Sequence, residues 1–156
     1  MFLTNILDVS RIKVPLVSTT KEGVIAELID VLKAAGDISD RDRALTAVLD
    51  RERTRTTGIG NALAIPHGKT NAVGGMVMAL GKTEHPVEFG SIDNKPVHLV
   101  IMILSPLDQT GPHIQALAHV TRLLIHDAFR SKLLAAASAQ EMHQAIAQQE
   151  AAGREG

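Results

Sequence analysis

The chain has 156 residues, a length that suits a single domain with a substantial core. Its formal net charge is −1 and aromatic residues make up only 2% of it, which argues against nucleic-acid partners, because these require a cationic surface or aromatic stacking platforms. Since it contains no cysteine, disulfides, thiolate metal sites and cysteine nucleophiles are all excluded.

The sequence carries no signal for secretion or membrane insertion. Residues 1–7 have neither the basic start nor the small-residue cleavage site that a signal peptide needs. The longest apolar run, residues 99–104, is far too short to span a bilayer. We therefore expect a cytoplasmic protein with no membrane insertion and no nucleic-acid partner.

The first part of the chain predicts a strand and two helices. The β-branched residues of 12–17 favour a short first strand. Thr19 and Glu22 form a capping-box pattern that would begin a helix, and Gly36 ends the apolar residues that follow at helical spacing. Asp40 is the candidate N-cap of a second helix.

The middle of the chain predicts strands. Residues 54–61 are polar and glycine-rich, and so predict a loop. Short strands are expected at 63–65 and 75–81. Residues 97–104 are almost continuously apolar, which is typical of a central strand buried on both faces.

The last part predicts helices. Gly111-Pro112 would open a long helix, because Pro is favoured in a first helical turn. Two short helices are expected at 129–136 and 141–146, and the tail at 151–156 is expected to fray. Residues 1–150 are thus predicted to form one α/β domain with helices on both faces of a sheet. The predicted apolar face of the long helix consists of Ile114, Leu117, Ala118, Thr121, Leu124 and Ile125.

Neither a nucleotide nor a metal ion is predicted as a cofactor. The segment GIGNALAIPHGKT, residues 58–70, contains pieces of two nucleotide-binding loops. Leu63, however, stands where a Walker loop and a dinucleotide loop each need a glycine, and the segment precedes a strand instead of joining a strand to a helix. His119 and His126 lie seven residues apart, without the further ligand that a zinc site needs.

His67, between Pro66 and Gly68, is the leading candidate for chemistry. Pro66 restricts the backbone on one side and Gly68 removes side-chain bulk on the other, so His67 would be held firmly yet remain reachable. A neutral imidazole is a competent nucleophile near pH 7. Taken alone, however, a single histidine is more often structural.

Two further residues could assist His67. His113 falls in the first turn of the predicted long helix, where free N–H groups and the helix dipole favour an anion. Arg51 could offer a planar guanidinium to phosphate oxygens. Without other information, an ion pair with Glu52 or Asp50 is the more ordinary role for this arginine.

Three segments resemble the IIA domains of the bacterial phosphotransferase system. The resemblance is to the fructose/mannitol class and, within it, to the nitrogen-regulatory members, and it extends from about residue 3 to residue 149. It implies a mixed β-sheet with helices on both faces, in agreement with the predicted elements. The segments are GIGNALAIPHGK at 58–69, IDNKPVHLVIMILSP at 92–106 and DQTGPHIQALAHVTRLL at 108–124.

The resemblance implies roles for four residues. His67 matches the histidine that accepts, on its tele nitrogen, a phosphoryl group from a small histidine-containing phosphocarrier protein. His113 matches the second active-site histidine, and Arg51 matches the active-site arginine. Asn61 occupies a position where sugar-transporting relatives often carry Glu, which favours the regulatory branch. An apolar rim around His67 would dock carrier proteins, with Ile59, Leu63 and Ile65 as candidates.

The resemblance also implies a transferase-type phosphoryl carrier whose regulatory role dominates. In the regulatory branch, phosphorylation tunes binding to other proteins, such as potassium-transport or sensor proteins. We expect neither a membrane domain nor a cysteine-bearing IIB domain after the segment, which would favour that branch. The first alternative is a sugar-specific IIA component that passes phosphate to a IIB partner. The second is a nucleotide-binding regulator.

Overall fold

A computed structural model describes residues 2–155, which form a six-stranded mixed sheet with helices on both faces. The predicted α/β class is confirmed. No helix within the described range is long and apolar enough to cross a membrane. Two 3₁₀ turns, Leu3–Asn5 and Val9–Arg11, precede β1 (Ile12–Leu16), α1 (Lys21–Ala34), α2 (Arg41–Thr54), β2 (Gly58–Gly60), β3 (Leu63–Ala64), β4 (His67–Lys69), β5 (Val77–Val87), β6 (Val97–Ser105), α3 (Thr110–Leu124), α4 (Asp127–Ala135) and α5 (Ala139–Glu155).

The sheet has the strand order β1-β5-β6-β3-β2, and β4 also pairs with β6. β1 is parallel to β5, and both β3 and β4 are parallel to β6, whereas the pairs β5–β6 and β2–β3 are antiparallel. Leu63 lies opposite Leu99 and His67 lies opposite Ile103, so β3 and β4 keep one register along β6. They therefore behave as a single strand interrupted at residues 65–66.

Two hydrophobic cores lie on the opposite faces of this sheet. Along β6, the odd-numbered residues from Leu99 to Ile103 pack beneath α3, α4 and α5, and the even-numbered residues from Val100 to Leu104 pack beneath α1 and α2. The alternation follows from the pleat, which sends successive side chains to opposite faces. The prediction of a central strand buried on both faces is confirmed.

The N-cap of α1 differs from the predicted one. The Thr20 side chain, and not that of Thr19, accepts a hydrogen bond from the Gly23 N–H at 3.1 Å. The Glu27 carboxylate, reaching back from the second turn of α1, accepts a hydrogen bond from the Ser18 N–H at 2.9 Å. This tether fixes the approach of the chain, so that the second of two adjacent threonines reaches the cap position.

The predicted end of α1 and the predicted N-cap of α2 are confirmed. Gly36 follows α1 with φ of 84°, a left-handed conformation that favours glycine after a helix. Asp40 caps α2 by accepting a hydrogen bond from the Arg43 N–H at 3.1 Å. Helices α4 and α5 lie where two short helices were expected, although α5 is longer than predicted.

The predicted loop at 54–61 is wrong in part, because its last residues form β2 and pair with β3. Glycine is needed there for close packing, since a Cβ on Gly58 would lie 2.2 Å from Ser91 Oγ. The strand expected at 75–81 exists as β5, but it begins at Val77 and runs to Val87.

The apolar face predicted for α3 is wrong in part, since Leu124 is buried and Leu117 packs against the core, but the other four residues face solvent. Ile114 and Ile125 are 60% and 62% exposed, and Ala118 and Thr121 also face solvent. The sequence of α3 contains two stripes of residues at helical spacing, one beginning at Ile114 and the other at His113. The connection from β6 places His113 against Ser105, so the second and less apolar stripe faces the core. The residues of α3 that are buried are His113, Ala116, Val120 and Leu124.

The start of the described chain is attached to its last helix. The buried Glu150 carboxylate of α5 accepts hydrogen bonds from the N–H groups of Leu3 at 2.6 Å and Thr4 at 3.2 Å. The last helix, α5, runs to Glu155, so it includes the backbone of residues 151–155 of the predicted tail. The domain limit at residue 150 and the fraying of 151–156 stay predictions, and Gly156 lies outside the described residues.

Candidate functional site

The strand register decides which face of the sheet His67 occupies. Its partner Ile103 belongs to the core under α3, so His67 lies on the α3 face together with Leu63 and Ile65. Gly68 lies on the opposite face, where a Cβ would come within 3.2 Å of the Ala47 backbone in α2. The adjacent residues His67 and Gly68 therefore place a half-buried imidazole on one face of the sheet and a close strand–helix contact on the other.

The His67 ring is oriented by its own backbone. Its Nδ1 lies 2.9 Å from the Ile65 carbonyl oxygen, and a carbonyl oxygen only accepts hydrogen bonds, so Nδ1 carries the proton and donates it. In a neutral ring, Nε2 then holds the free lone pair. His67 lines a cleft of about 250 Å³.

His113 completes a pair of imidazoles. It lies in the first turn of α3 and is 5% exposed, with its ring centroid 5.4 Å from that of His67 and the ring planes tilted by 56°. Its Nδ1 lies 2.8 Å from Ser105 Oγ, at the end of β6. The strand-to-helix connection thus brings together two histidines that are 46 positions apart in the sequence.

Both imidazoles are held in the neutral form at neutral pH. Burial lowers the pKa of His67, and the nearby positive charge of Arg51 adds to this, against the opposing effects of the Ile65 hydrogen bond and Glu52. Burial, with His67 and Lys69 nearby, lowers the pKa of His113 to about 4. The site therefore has an uncharged ring with a free lone pair beside a second uncharged ring.

Arg51 lies in the last turn of α2 and lines the cleft with His67. The ion pairs considered for it from the sequence belong to other residues, because Glu52 binds Lys21 and Asp50 binds Arg53. Arg51 instead donates a hydrogen bond from Nη1 to the Arg55 carbonyl oxygen at 3.0 Å. The remaining guanidinium N–H groups are available to an anion in the cleft.

Asn61 is not brought to this cleft. It lies in the turn between β2 and β3 and is exposed, and its N–H donates to Asp93 Oδ2 at 3.2 Å. Its φ of 58° is left-handed, a conformation that Asn adopts more easily than most residues. The turn therefore gives Asn61 a structural reason to occupy this position, and a role in the chemistry stays a prediction.

The rim of the cleft differs from the one predicted. Ile59 lies on it, 36% exposed, whereas Leu63 and Ile65 are core residues, with Ile65 lying in the cleft floor. Ile92, which is 68% exposed, was not predicted from the sequence. Arg55 was also missed, although its spacing of four from Arg51 could have suggested it. The remaining residues that line the cleft are Thr56, Thr57, Gly58, Leu117 and Thr121.

The glycines of the 58–70 segment lie in β-strands and not in a nucleotide-binding loop. Gly58 and Gly60 belong to β2, and Gly68 belongs to β4. The Thr70 hydroxyl is buried and accepts a hydrogen bond from the Ala72 N–H at 3.1 Å. Nothing in this arrangement joins a strand to a helix N-terminus, as both nucleotide loops do.

Known proteins similar to this chain share one family. Residues 5–149 match the family described as "Phosphoenolpyruvate-dependent sugar phosphotransferase system, EIIA 2". A fructose-specific EIIA component from Haloferax volcanii is 41% identical over 129 residues, which cover 83% of this chain and 84% of that protein. A nitrogen regulatory protein from Bradyrhizobium diazoefficiens is 32% identical over 148 residues, which cover 94% and 95% of the two chains.

Solved structures agree with these sequence matches. The crystal structure of nitrogen regulatory protein IIA-Ntr from Neisseria meningitidis superposes with a TM-score of 0.84 at 27% identity, covering 92% of this chain and 98% of that one. Some relatives are longer, and this chain spans 22% of the length of a fructose-specific EIIABC component from Bacillus subtilis. Sugar-specific and nitrogen-regulatory proteins both resemble this chain.

Proposed function

The chain belongs to the EIIA 2 family of the phosphoenolpyruvate-dependent sugar phosphotransferase system, whose IIA proteins are phosphoryl carriers, and we propose that it carries its phosphoryl group on Nε2 of His67. The observation that carries the proposal is the hydrogen bond from His67 Nδ1 to the Ile65 carbonyl oxygen. This hydrogen bond keeps the proton of His67 on Nδ1, so the lone pair of Nε2 is free to accept the phosphoryl group.

The transfer needs no proton movement at His67. The Nε2 lone pair forms a bond to phosphorus while the N–P bond of a donor phosphohistidine breaks, and that electron pair returns to the donor ring. Nδ1 keeps its proton and its hydrogen bond to Ile65 throughout. The donor is a small histidine-containing phosphocarrier protein. No cofactor enters the step, because the donor supplies the phosphoryl group.

The surroundings of His67 offset the charge of the phosphoryl group. Arg51 supplies guanidinium N–H groups from the end of α2, and His113 supplies a polar ring from the start of α3. The first turn of α3 adds the positive end of a helix dipole. In phosphoryl transfer, positioning and charge stabilisation provide most of the catalysis.

The phosphocarrier docks on the apolar rim of the cleft. Ile59 and Ile92 present exposed apolar side chains on the cleft that His67 also lines. Covering the rim excludes water from the N–P bond during transfer. The exposed Arg55 adds a positive charge that attracts an acidic partner.

Phosphorylation by the reconstituted pathway tests this assignment. The protein is incubated with phosphoenolpyruvate, the first enzyme of the system and its phosphocarrier. We expect one acid-labile, base-stable phosphoryl group on the wild-type protein and none on His67→Ala, because the acceptor nitrogen is gone. As a control, His85→Ala should be labelled like wild type. Full labelling of His67→Ala would refute the assignment.

Within the family, we place the chain in the nitrogen-regulatory branch. The match to a nitrogen regulatory protein along nearly its whole length and the superposition on IIA-Ntr support this placement. Phosphorylation at His67 adds about −1.5 to −2 charges beside the apolar rim, and so acts as an electrostatic switch on binding to regulated proteins, such as potassium-transport or sensor proteins.

The second candidate is a sugar-specific IIA component, which the 41% identity to a fructose-specific relative favours. The two candidates share His67 and differ in where the phosphoryl group goes next. Phosphorylated protein is mixed with IIB proteins of fructose and mannitol systems. Retention of the phosphoryl group is the outcome expected of a regulator, and rapid transfer to one IIB protein would establish the sugar-specific alternative.

A further inference from the structure

Ser105 is a buried polar residue that faces the site from the end of β6. Its side chain is 0% exposed, and its register partner in the sheet is Lys69 of β4. By strand alternation it lies on the same face as Ile103 and His67, beneath the first turn of α3. There Ser105 Oγ lies 2.8 Å from His113 Nδ1.

The direction of this hydrogen bond follows from accounting for the hydroxyl proton. Among the described residues, His113 is the only hydrogen-bond partner of Ser105 Oγ. If Nδ1 donated the proton, the serine hydroxyl proton would be left without an acceptor in a site that water does not reach. An unpaired buried donor is costly, so the hydroxyl donates and Nδ1 accepts.

We infer that Ser105 is a positioning residue that fixes the tautomer of His113, so that His113 presents Nε2–H to the phosphoryl group carried by His67. The inference rests on the proposed role of His67. The two rings then have complementary forms: His67 presents a lone pair, and His113, whose ring centroid is 5.4 Å away, presents a proton donor. Neutral His113 can donate to a phosphoryl oxygen without carrying a charge of its own.

The charged groups around the pair are compatible with this assignment. Lys69 donates from Nζ to Thr110 Oγ1 at 3.0 Å, and Arg51 and Glu52 lie on the His67 side. The burial of His113, with the positive charge of Lys69 nearby, disfavours the form of the ring that carries a proton on both nitrogens. With Nδ1 occupied by the serine hydroxyl, the single proton of the ring is directed to Nε2.

The tautomer is measured directly in the unphosphorylated protein by long-range ¹H–¹⁵N NMR of its histidine side chains. We expect wild-type His113 to be in the Nε2–H form, and Ser105→Ala to lose this preference. Ser105→Thr keeps the hydroxyl and should restore it. An Nδ1–H form in the wild-type protein would overturn the inference whether or not His67 is phosphorylated.

A kinetic cycle separates positioning from packing. Ser105→Ala should slow phosphoryl transfer to His67 roughly tenfold, the scale of one lost hydrogen bond to a charged group. In a His113→Ala background the same substitution should have no further effect, because Ser105 acts through His113. An equal loss in both backgrounds would mean that Ser105 only supports the fold. If wild type is not labelled at all, the proposed function fails while the tautomer result stands.

Discussion

His67 and His113 both use Nδ1 for their hydrogen bonds within the fold, which leaves Nε2 of each ring for a ligand. Identical side chains thereby acquire different chemistry from their partners, a carbonyl oxygen in one case and a hydroxyl in the other. Ile65 lies two residues before His67 in the same sequence segment, whereas Ser105 lies eight residues before His113 at the end of β6. The chemistry of the site is therefore set by the residues Ile65 and Ser105 as much as by the imidazoles.

Arg51 gives the clearest prediction for a single side chain. Arg51→Ala should slow phosphoryl transfer about 100-fold, because it removes a charged donor from the transferring group. The fold should be retained, since the hydrogen bond of Arg51 is to the exposed Arg55. Rates are measured by rapid quench with labelled phosphocarrier.

The matched control is Arg53→Ala, two positions away on the same helix. Arg53 is exposed and pairs with Asp50 on the surface, so its removal should leave the transfer rate unchanged. Equal losses in the two variants would indicate a general effect of positive charge instead of a specific role for Arg51.

The low pKa of His113 predicts how stability depends on pH. Its pKa is about 4 in the folded protein and about 6.5 when unfolded, so the unfolded state binds more protons as the pH falls. The stabilisation is complete above about pH 6.5 and is lost progressively toward about pH 4. Urea midpoints measured between about pH 8 and about pH 5 should show this loss.

His113→Gln should weaken that dependence, because the titrating group is absent, although His67 still contributes in the same direction. His85→Gln removes an exposed histidine and should leave the dependence as it is in the wild-type protein. An unchanged slope in His113→Gln would contradict the assigned pKa.

Among the secondary-structure elements, the contact between β4 and α2 governs the site. Gly68 lets the strand approach the helix backbone at Ala47, and Arg51 lies one turn further along the same helix. Gly68→Ala should destabilise the protein by about 1–3 kcal/mol, because a Cβ would lie 3.2 Å from the Ala47 backbone. It should also slow transfer by displacing Arg51.

Gly75→Ala provides the comparison for this substitution. Its Cβ would meet nothing within 4 Å, so its urea midpoint should stay within experimental error of the wild-type value. Comparable destabilisation by both substitutions would attribute the effect to glycine flexibility and not to the strand–helix contact.

Much of the element order followed from sequence periodicity, because continuous apolar runs and helix caps are local signals. β6 and the cap at Asp40 are examples. The apolar face of α3 could not be predicted in this way, since Ile114 and His113 both begin a stripe at helical spacing and only the position of β6 selects between them. β2 was missed because two of its three residues are glycines, one of which, Gly58, packs closely against Ser91.

The site was predictable where a motif carries the chemistry and unpredictable where tertiary contacts do. His67, His113 and Arg51 were candidates from their local sequence, and the resemblance predicted a role for each; the structure brings the three together. Ser105 and Ile92 have no local signal, because their proximity to His67 depends on strand register and on the loop after β5.

At the scale of the whole molecule, the apolar rim predicts how the phosphocarrier docks. Ile92→Asp should raise the KM for the phosphocarrier about tenfold, because it places a charge in an apolar contact. The thermal midpoint should be unchanged, since Ile92 is 68% exposed. The measurement is initial transfer rate against phosphocarrier concentration.

Ile125→Asp is the companion variant. Ile125 is also strongly exposed, but it lies at the far end of α3 and does not line the cleft. Its KM should match that of the wild-type protein. Equal increases in KM would mean that the contact depends on the net charge of the surface and not on the rim.

The bond between Glu150 and the 3₁₀ turn at Leu3–Asn5 imposes an order on folding. The two partners are 147 positions apart, and closing so long a loop carries a large entropic cost. During synthesis, the backbone N–H groups of Leu3 and Thr4 must therefore wait until Glu150 has been made before they find this acceptor. All six strands of the sheet lie within residues 12–105, so their residues are made before Glu150 is available for this contact.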